Sequence, residues 1–287
     1  MELEAISGAA TVALTSTIVF VLVARTWFAA TRASNSTSSF SDRILHEAAQ
    51  RFRDELDLLN GKQTAYLGGA LVFAVLFVAA WILDAGALFS GYPSWQLYLQ
   101  LGFLGLAGGY AAYRLGMTIS QRRRVKFSRD ANIAIGHQLQ QLPAGFARIF
   151  HDVPTATGIV DHVLVGQSGI YAVNVIAARS RKRSHARRRD NEIQFANGRP
   201  SVSIVNIAAR TRQLQKEFSN TAGSNIRVRS VIAVPGWDIG EQSGDDHLLV
   251  NERTIAMISG WKDNSDYLMN EDVDAIRNDL VNRCVAA

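Results

Sequence analysis

The stretch "GIVDHVLVGQSGIYAVNVI", residues 158–176, contains the residues whose types and spacing come closest to a reaction centre. Asp161 lies in one hydrophobic run, and Asn174 and Ile176 lie at the end of the next run, after a glycine-containing turn. An acid on one strand, with a second acid and a lysine on the next, can hold Mg²⁺ and activate water. Here Asn174 and Ile176 stand where the second acid and the lysine would be.

These two residues remove most of that chemistry. Asn174 offers one neutral carbonyl oxygen, whereas Mg²⁺ prefers anionic oxygens. Ile176 can neither donate a hydrogen bond nor carry charge, so it cannot stabilise a developing negative charge. Asp161 is therefore the acid of this arrangement that the sequence retains.

Other residues could compensate for these losses. A metal ligand could come from a neighbouring strand or turn, at Asp152, Asp190 or Glu192, and His162 could serve as a general base. Against the second idea, the alternation of side chains along a strand places His162 on the opposite face from Asp161, where it would pack or form a hydrogen bond.

The second hydrophobic run is followed by a strongly basic segment. Residues 179–189, "RSRKRSHARRR", contain seven Arg or Lys and no acid. Such a segment can neutralise phosphates of nucleic acid, contact anionic lipid, or be solvated without a specific partner. It contains no aromatic residue, so stacking on single-stranded bases is not indicated. We call its basic residues the basic segment: Arg179, Arg181, Lys182, Arg183, Arg187, Arg188 and Arg189.

Three windows without a charged residue determine the organisation of the first 120 residues. They are 20, 21 and 19 residues long and cover Ala5–Ala24, Gln63–Leu83 and Trp95–Tyr113. A helix needs about 20 apolar residues to cross the hydrocarbon core of a bilayer. The windows predict an all-α membrane region, residues 1–120, with three spans at about 5–24, 63–83 and 95–117. The acidic leader "MELEA" favours a retained first span over a cleaved signal peptide.

Basic residues near these windows predict the orientation. The connection between the first two spans carries six Arg or Lys, "QRRRVK" follows the third, and the short connection "DAGALFSGYPS" carries none. Because short cytoplasmic loops are enriched in Lys and Arg, the amino terminus is expected outside and the carboxy-terminal domain in the cytoplasm.

An amphipathic helix is predicted for residues 42–59, between the first two spans. Its apolar residues recur at helical spacing, Ser41 or Asp42 can cap its start, and Asn60-Gly61 is a typical stop. Residues 121–287 then alternate helical and strand-like patterns. The prediction for them is an α/β domain with a mixed sheet flanked by helices.

Residues of about 127–261 resemble the nuclease-related domain (NERD) family, a member of the restriction-endonuclease-like superfamily. The resemblance follows an ordered series of segments. Its matching positions are Ala131, Asn132, Ile135, Leu139 and Leu142 in an opening helix, Asp161, His162, Gly169 and Ile170 in a hairpin, and Asn206 in "NIAAR". The family's two glutamates are replaced by Asn132 and Asn174, its lysine by Ile176 and its glutamine by Arg210.

The resemblance implies a restriction-endonuclease-like fold with a degenerate catalytic site. The expected function is binding of nucleic acid or a protein partner at the cytoplasmic face of a membrane, without cleavage and without a cofactor. The partner could also be a second copy of the chain, in a homo-oligomer. Two alternatives are an active Mg²⁺-dependent nuclease with migrated ligands, and a membrane assembly subunit.

A single cysteine, Cys284, and six histidines without metal-ligand spacing predict no disulfide or zinc site.

Overall fold

The computed structural model describes residues 45–82, 94–142, 148–179, 184–196, 200–242, 246–261 and 267–285. The chain divides into two compact units. Of the described residues, 55–82 and 94–124 belong to one unit, and residues 45–54 belong with the residues from 125 onward to the other. Part of the segment assigned above to the membrane region, residues 45–54, thus folds with the carboxy-terminal unit.

Two long helices, α1 (Gln50–Ile82) and α2 (Ser94–Gln140), contain most of the second and third predicted spans. The first predicted span lies outside the described residues. In the ranges that are described, no helix has an apolar stretch long enough to cross a membrane. The three spans are therefore not confirmed.

The predicted amphipathic helix has different bounds in the structure. α1 begins at Gln50 and continues through Asn60 and Gly61, so the predicted stop is wrong. A glycine inside a helix costs only about 1 kcal/mol relative to alanine, which helix-forming residues on both sides can outweigh. Before α1, Leu45 forms an isolated antiparallel bridge with Val285, and the backbone N–H of His46 donates to the carbonyl of Cys284 at 2.9 Å.

Nine strands follow α2 in the described ranges. They are β1 (Arg148–Thr155), β2 (Gly158–Gly166), β3 (Gly169–Val175), β4 (His185–Arg189), β5 (Glu192–Phe195), β6 (Val202–Ser203), β7 (Val228–Ala233), β8 (Asp238–Gln242) and β9 (His247–Val250). One sheet has the order β1-β2-β3-β7-β9 and the other β6-β5-β4-β8. Both mix parallel and antiparallel pairs. The α/β prediction is confirmed, with two sheets in place of one.

Helices cover both faces of the five-stranded sheet. α3 (Val205–Ala222) and α4 (Asn270–Arg283) pack against one hydrophobic cluster, which contains Phe150 and Leu214. The end of α2 and a short 3₁₀ helix, Ile255–Ser259, pack against a second cluster, which contains Tyr171. β3 is buried along nearly its whole length, as its continuous apolar sequence predicts.

The carboxy terminus is part of this core. Cys284 is buried among the residues of the first cluster. Burial raises the pKa of this thiol to about 11, which keeps it protonated and unreactive at neutral pH.

Close packing of the segment before α1 on α2 predicts that Gly136→Ala is destabilising. A methyl group at Gly136 would lie 2.9 Å from Cβ of Ala48. Alanine normally gains about 1 kcal/mol over glycine inside a helix, but this overlap should turn the gain into a loss of about 1–2 kcal/mol. Denaturant unfolding of the full chain measures this change in stability. Gly260→Ala is the control, because the nearest atom there is at 3.7 Å.

Candidate functional site

The register of the five-stranded sheet brings three polar residues into one row across β1, β2 and β3. His151 pairs with His162, which places the next residues, Asp152 and Asp161, opposite each other. The pairing of β2 with β3 continues the row to Asn174. Asp152 has a φ of 50°, a left-handed conformation that aspartate tolerates better than most residues.

The guanidinium of Arg51 contacts both carboxylates of this row. Its Nη2 donates to Oδ1 of Asp161, and its Nε lies 3.5 Å from Oδ1 of Asp152. The backbone N–H of Arg51 also donates to Oδ2 of Asp152 at 3.1 Å. Arg51 lies in the first turn of α1, where backbone N–H groups have no acceptor within the helix. Asp152 therefore caps α1 from a strand about 100 residues further along the chain.

Burial determines the electrostatics of these groups. The side chains of Asp152 and Asp161 are 3% and 4% exposed, and that of Arg51 is 29% exposed. Burial raises the pKa of Asp161 to about 6, against the lowering effects of Arg51 and of the Val175 N–H, which donates to Oδ2 at 2.7 Å. Burial also raises the pKa of Asp152. At neutral pH Asp161 is thus mainly an anion paired with Arg51.

Asn174 and Ile176 do not restore a catalytic arrangement. Asn174 is buried, and within the described part of the chain neither its amide oxygen nor its amide nitrogen has a hydrogen-bond partner. A glutamate there would place a third buried carboxylate beside the pair that Arg51 balances. The backbone of Ile176 donates to the carbonyl of Ala233 at 2.8 Å, and its side chain packs at the core beneath the second sheet.

Neither Asn132 nor His162 has a side-chain hydrogen bond to Asp152 or Asp161 in the described structure. Nδ1 of His162 lies 2.8 Å from Nδ1 of His151, and both rings are buried. Burial lowers the pKa of His162 well below its usual value, with further lowering by His151 and Arg51. Burial also lowers the pKa of His151. Asn132, buried in α2, donates from Nδ2 to the carbonyl of Ser128 at 3.0 Å.

The residues present do not fit a catalytic Mg²⁺ ion. Both carboxylates of the row form ion pairs with the guanidinium of Arg51, and Oδ2 of Asp161 also accepts the backbone N–H of Val175. The remaining donor, Asn174, is neutral. The described residues contain no group of three or more His, Cys, Asp or Glu that could hold a metal ion.

The other proposed ligands are not in this row. Asp190 is in the turn between β4 and β5, and Glu192 begins β5 on the second sheet, where both are exposed. Of these three acids, Asp152 lies beside Asp161. The positions of Asp152 and Arg51 depend on strand register and on contacts between residues about 100 positions apart in the sequence, which no local motif encodes.

The structure divides the basic segment, whose residues Arg181, Lys182 and Arg183 lie outside the described ranges. Arg179 stacks over the ring of Phe127, with its guanidinium carbon 5.6 Å from the ring centroid. β4 alternates strictly, so Arg187 and Arg189 are exposed and Arg188 is buried. Nη1 of Arg188 donates to the carbonyl of His247 at 2.7 Å. Arg188 therefore has a role in packing the second sheet against β9.

We predict that Arg51→Met destabilises the fold by about 2–3 kcal/mol at pH 8, because it leaves two buried carboxylates without their cation. The cost should be smaller at pH 5, below the pKa of about 6 of Asp161, where that carboxyl is protonated. Denaturant unfolding at the two pH values tests this. Arg53→Met is the control, since its ion pair with Glu47 is exposed and should contribute under about 1 kcal/mol.

The buried histidine pair predicts a loss of stability in acid. His151 and His162 have pKa values below 6.5 in the folded chain, so protons bind preferentially to the unfolded chain as pH falls below 6.5. Each ring should cost about 1 kcal/mol between pH 7.5 and 5.5. The raised pKa of Asp161 acts in the opposite direction. Replacing both histidines by glutamine should therefore flatten the acid side of the stability curve, and an unchanged slope would contradict the assignment.

Comparison with known protein families gives a match for this chain. The family model described as nuclease-related domain (NERD) matches residues 129–235. Comparisons with curated proteins and with solved structures gave no match. The matched range runs from the end of α2 through β7 and contains Asn132, Asp161, Asn174 and Ile176, whereas Arg51 lies outside it. We conclude that the chain carries a nuclease-related domain at residues 129–235.

Proposed function

We propose that this chain carries a non-cleaving nuclease-related domain that binds nucleic acid at a membrane surface. The observation that carries the proposal is the placement of Arg51 on Asp161 and Asp152. A protein cation is attached where a nuclease of this layout would need an exchangeable metal ion. The side chain fulfils the charge-balancing role of the ion without its capacity to activate water.

Several features of the site support loss of catalysis. Removing Arg51 from buried carboxylates would be costly, because breaking one partner out of a buried ion pair typically costs several kcal/mol. Asn174 supplies no anion to draw Mg²⁺ into the row, and Ile176 supplies no group that could stabilise a pentacovalent phosphate. Each of these features would have to be bypassed by a working nuclease.

Nucleic acid as the ligand is supported by the basic segment. Its seven Arg or Lys residues occur with no acid among residues 179–189. Arg187 and Arg189 expose their side chains on the same face of β4. Contacts of guanidinium groups with phosphates release condensed counterions, so this binding should weaken steeply with salt.

Membrane attachment rests on the sequence alone. The uncharged windows at 5–24, 63–83 and 95–117 have the composition of three spans, and the distribution of Lys and Arg favours a cytoplasmic carboxy-terminal domain. A restriction-endonuclease-like topology belongs to the same proposal, supported by the family match. Protein docking, including self-association, is the alternative if nucleic acid is not retained.

A second candidate, an active Mg²⁺-dependent nuclease, is favoured by one observation. Asp152 lies beside Asp161 and would supply a second carboxylate if Arg51 moved away. It predicts cleavage that requires Mg²⁺ or Mn²⁺ and disappears in Asp161→Ala.

One assay separates the two candidates. The detergent-solubilised full chain is incubated with labelled DNA and RNA, with Mg²⁺, Mn²⁺ or EDTA, at low and high salt. We expect retention at low salt that high salt abolishes, with no cleavage in any metal. Metal-dependent cleavage that is absent in Asp161→Ala would establish the nuclease. Absence of both retention and cleavage would refute the nucleic-acid proposal and leave protein docking.

A further inference from the structure

A groove of about 720 Å³ lies on the exposed face of the second sheet, away from the row of Asp152 and Asp161. Its walls include His185 and Arg187 from β4, Gln194 from β5 and Gly240 from β8. Strand pairing explains their proximity, because β4 is the strand between β5 and β8. We call this feature the sheet groove.

Arg187 is held in position within the sheet groove. Its Nε donates to Oε1 of Gln194, its cross-strand neighbour, at 3.1 Å. Gly240 on the other side leaves space beside it, since a methyl group there would lie 3.7 Å from Cβ of Arg187. A guanidinium fixed through Nε still presents its two terminal nitrogens, the geometry that suits a phosphate oxygen pair.

The alternation along β4 selects which arginines can serve this groove. His185, Arg187 and Arg189 point to the exposed face, whereas Arg188 points inward and donates to the carbonyl of His247. Arg179 lines a different cavity, next to Phe127. The described arginines of the basic segment therefore lie in three different places: Arg187 and Arg189 on the exposed face of β4, Arg188 inside against His247, and Arg179 beside Phe127.

We propose that the sheet groove binds the phosphodiester backbone of a nucleic-acid duplex, with Arg187 as its central phosphate contact. This inference rests on the proposed function and assigns it a surface. Charge favours Arg187 as the contact, because its cross-strand neighbour is the neutral Gln194, whereas Arg189 lies opposite Glu192 and His185 lies opposite Asp238.

A duplex suits this surface better than a single strand. The aromatic residue that lines the groove, Phe195, is 7% exposed, and its ring packs against Trp237 at 4.7 Å between centroids. It therefore offers no open face on which an unpaired base could stack. A polar groove with fixed guanidinium groups instead suits sequence-independent contact with backbone phosphates.

The test measures binding of a labelled DNA duplex to the full chain in detergent over a range of salt concentrations. Arg187→Gln should weaken binding about tenfold and reduce the slope of log K against log salt by about one. Gly240→Val keeps every charge but fills the groove beside Arg187, and it should weaken binding comparably. Lys216→Gln, a loss of one exposed positive charge on α3, should leave both affinity and slope unchanged. Thermal unfolding verifies that each variant is folded.

The outcomes separate this inference from the proposed function. Loss of binding in Arg187→Gln and in Gly240→Val, with none in Lys216→Gln, supports the sheet groove. Wild-type affinity in folded Gly240→Val and Arg187→Gln would overturn the groove while leaving nucleic-acid binding intact. A wild-type chain that does not bind the duplex, or that binds only vesicles containing anionic lipid, would overturn both.

Discussion

The ion pair of Arg51 with Asp161 and Asp152 is the interaction on which the site depends. Two carboxylates on adjacent strands are almost completely buried, and such groups are costly to bury as anions without a partner. Arg51 compensates both through its guanidinium and also donates its backbone N–H to Asp152. One residue thereby fixes the charge balance of the sheet and the start of α1. The same contacts join residues 45–54 to the carboxy-terminal unit.

An internal cation changes what the nuclease-related domain can do. A metal ion exchanges with solvent and carries water, whereas a guanidinium on the same chain does neither. Asn174 fits this state, because an amide adds no further negative charge to the row. In the proposed function, nucleic acid contacts the second sheet, where the alternation of β4 separates the exposed Arg187 and Arg189 from the buried Arg188.

The sequence predicts the strands and helices of the domain well, because their patterns are local. The buried run of β3, the helix that becomes α3 and the resemblance around Asp161 all follow from neighbouring residues. Arg51, in contrast, is one of six basic residues between the first two predicted spans, and nothing in the neighbouring sequence assigns it to the site. Its contacts with Asp152 and Asp161 span 101 and 110 residues, so tertiary structure alone creates them. The stop predicted at Asn60-Gly61 failed for the opposite reason, because a local signal was overridden by the helix on both sides.

We propose that Arg51 takes the place of a metal ion, and a Mn²⁺ titration of the full chain, followed by electron paramagnetic resonance, can detect an ion that enters the row. The titration is done at pH 7.5 on the wild type and on Asp161→Asn. We expect the same free Mn²⁺ signal for both proteins, with no site that depends on Asp161. A stoichiometric Mn²⁺ site in the wild type that Asp161→Asn removes would show that the ion displaces Arg51, and would refute the role proposed for Arg51.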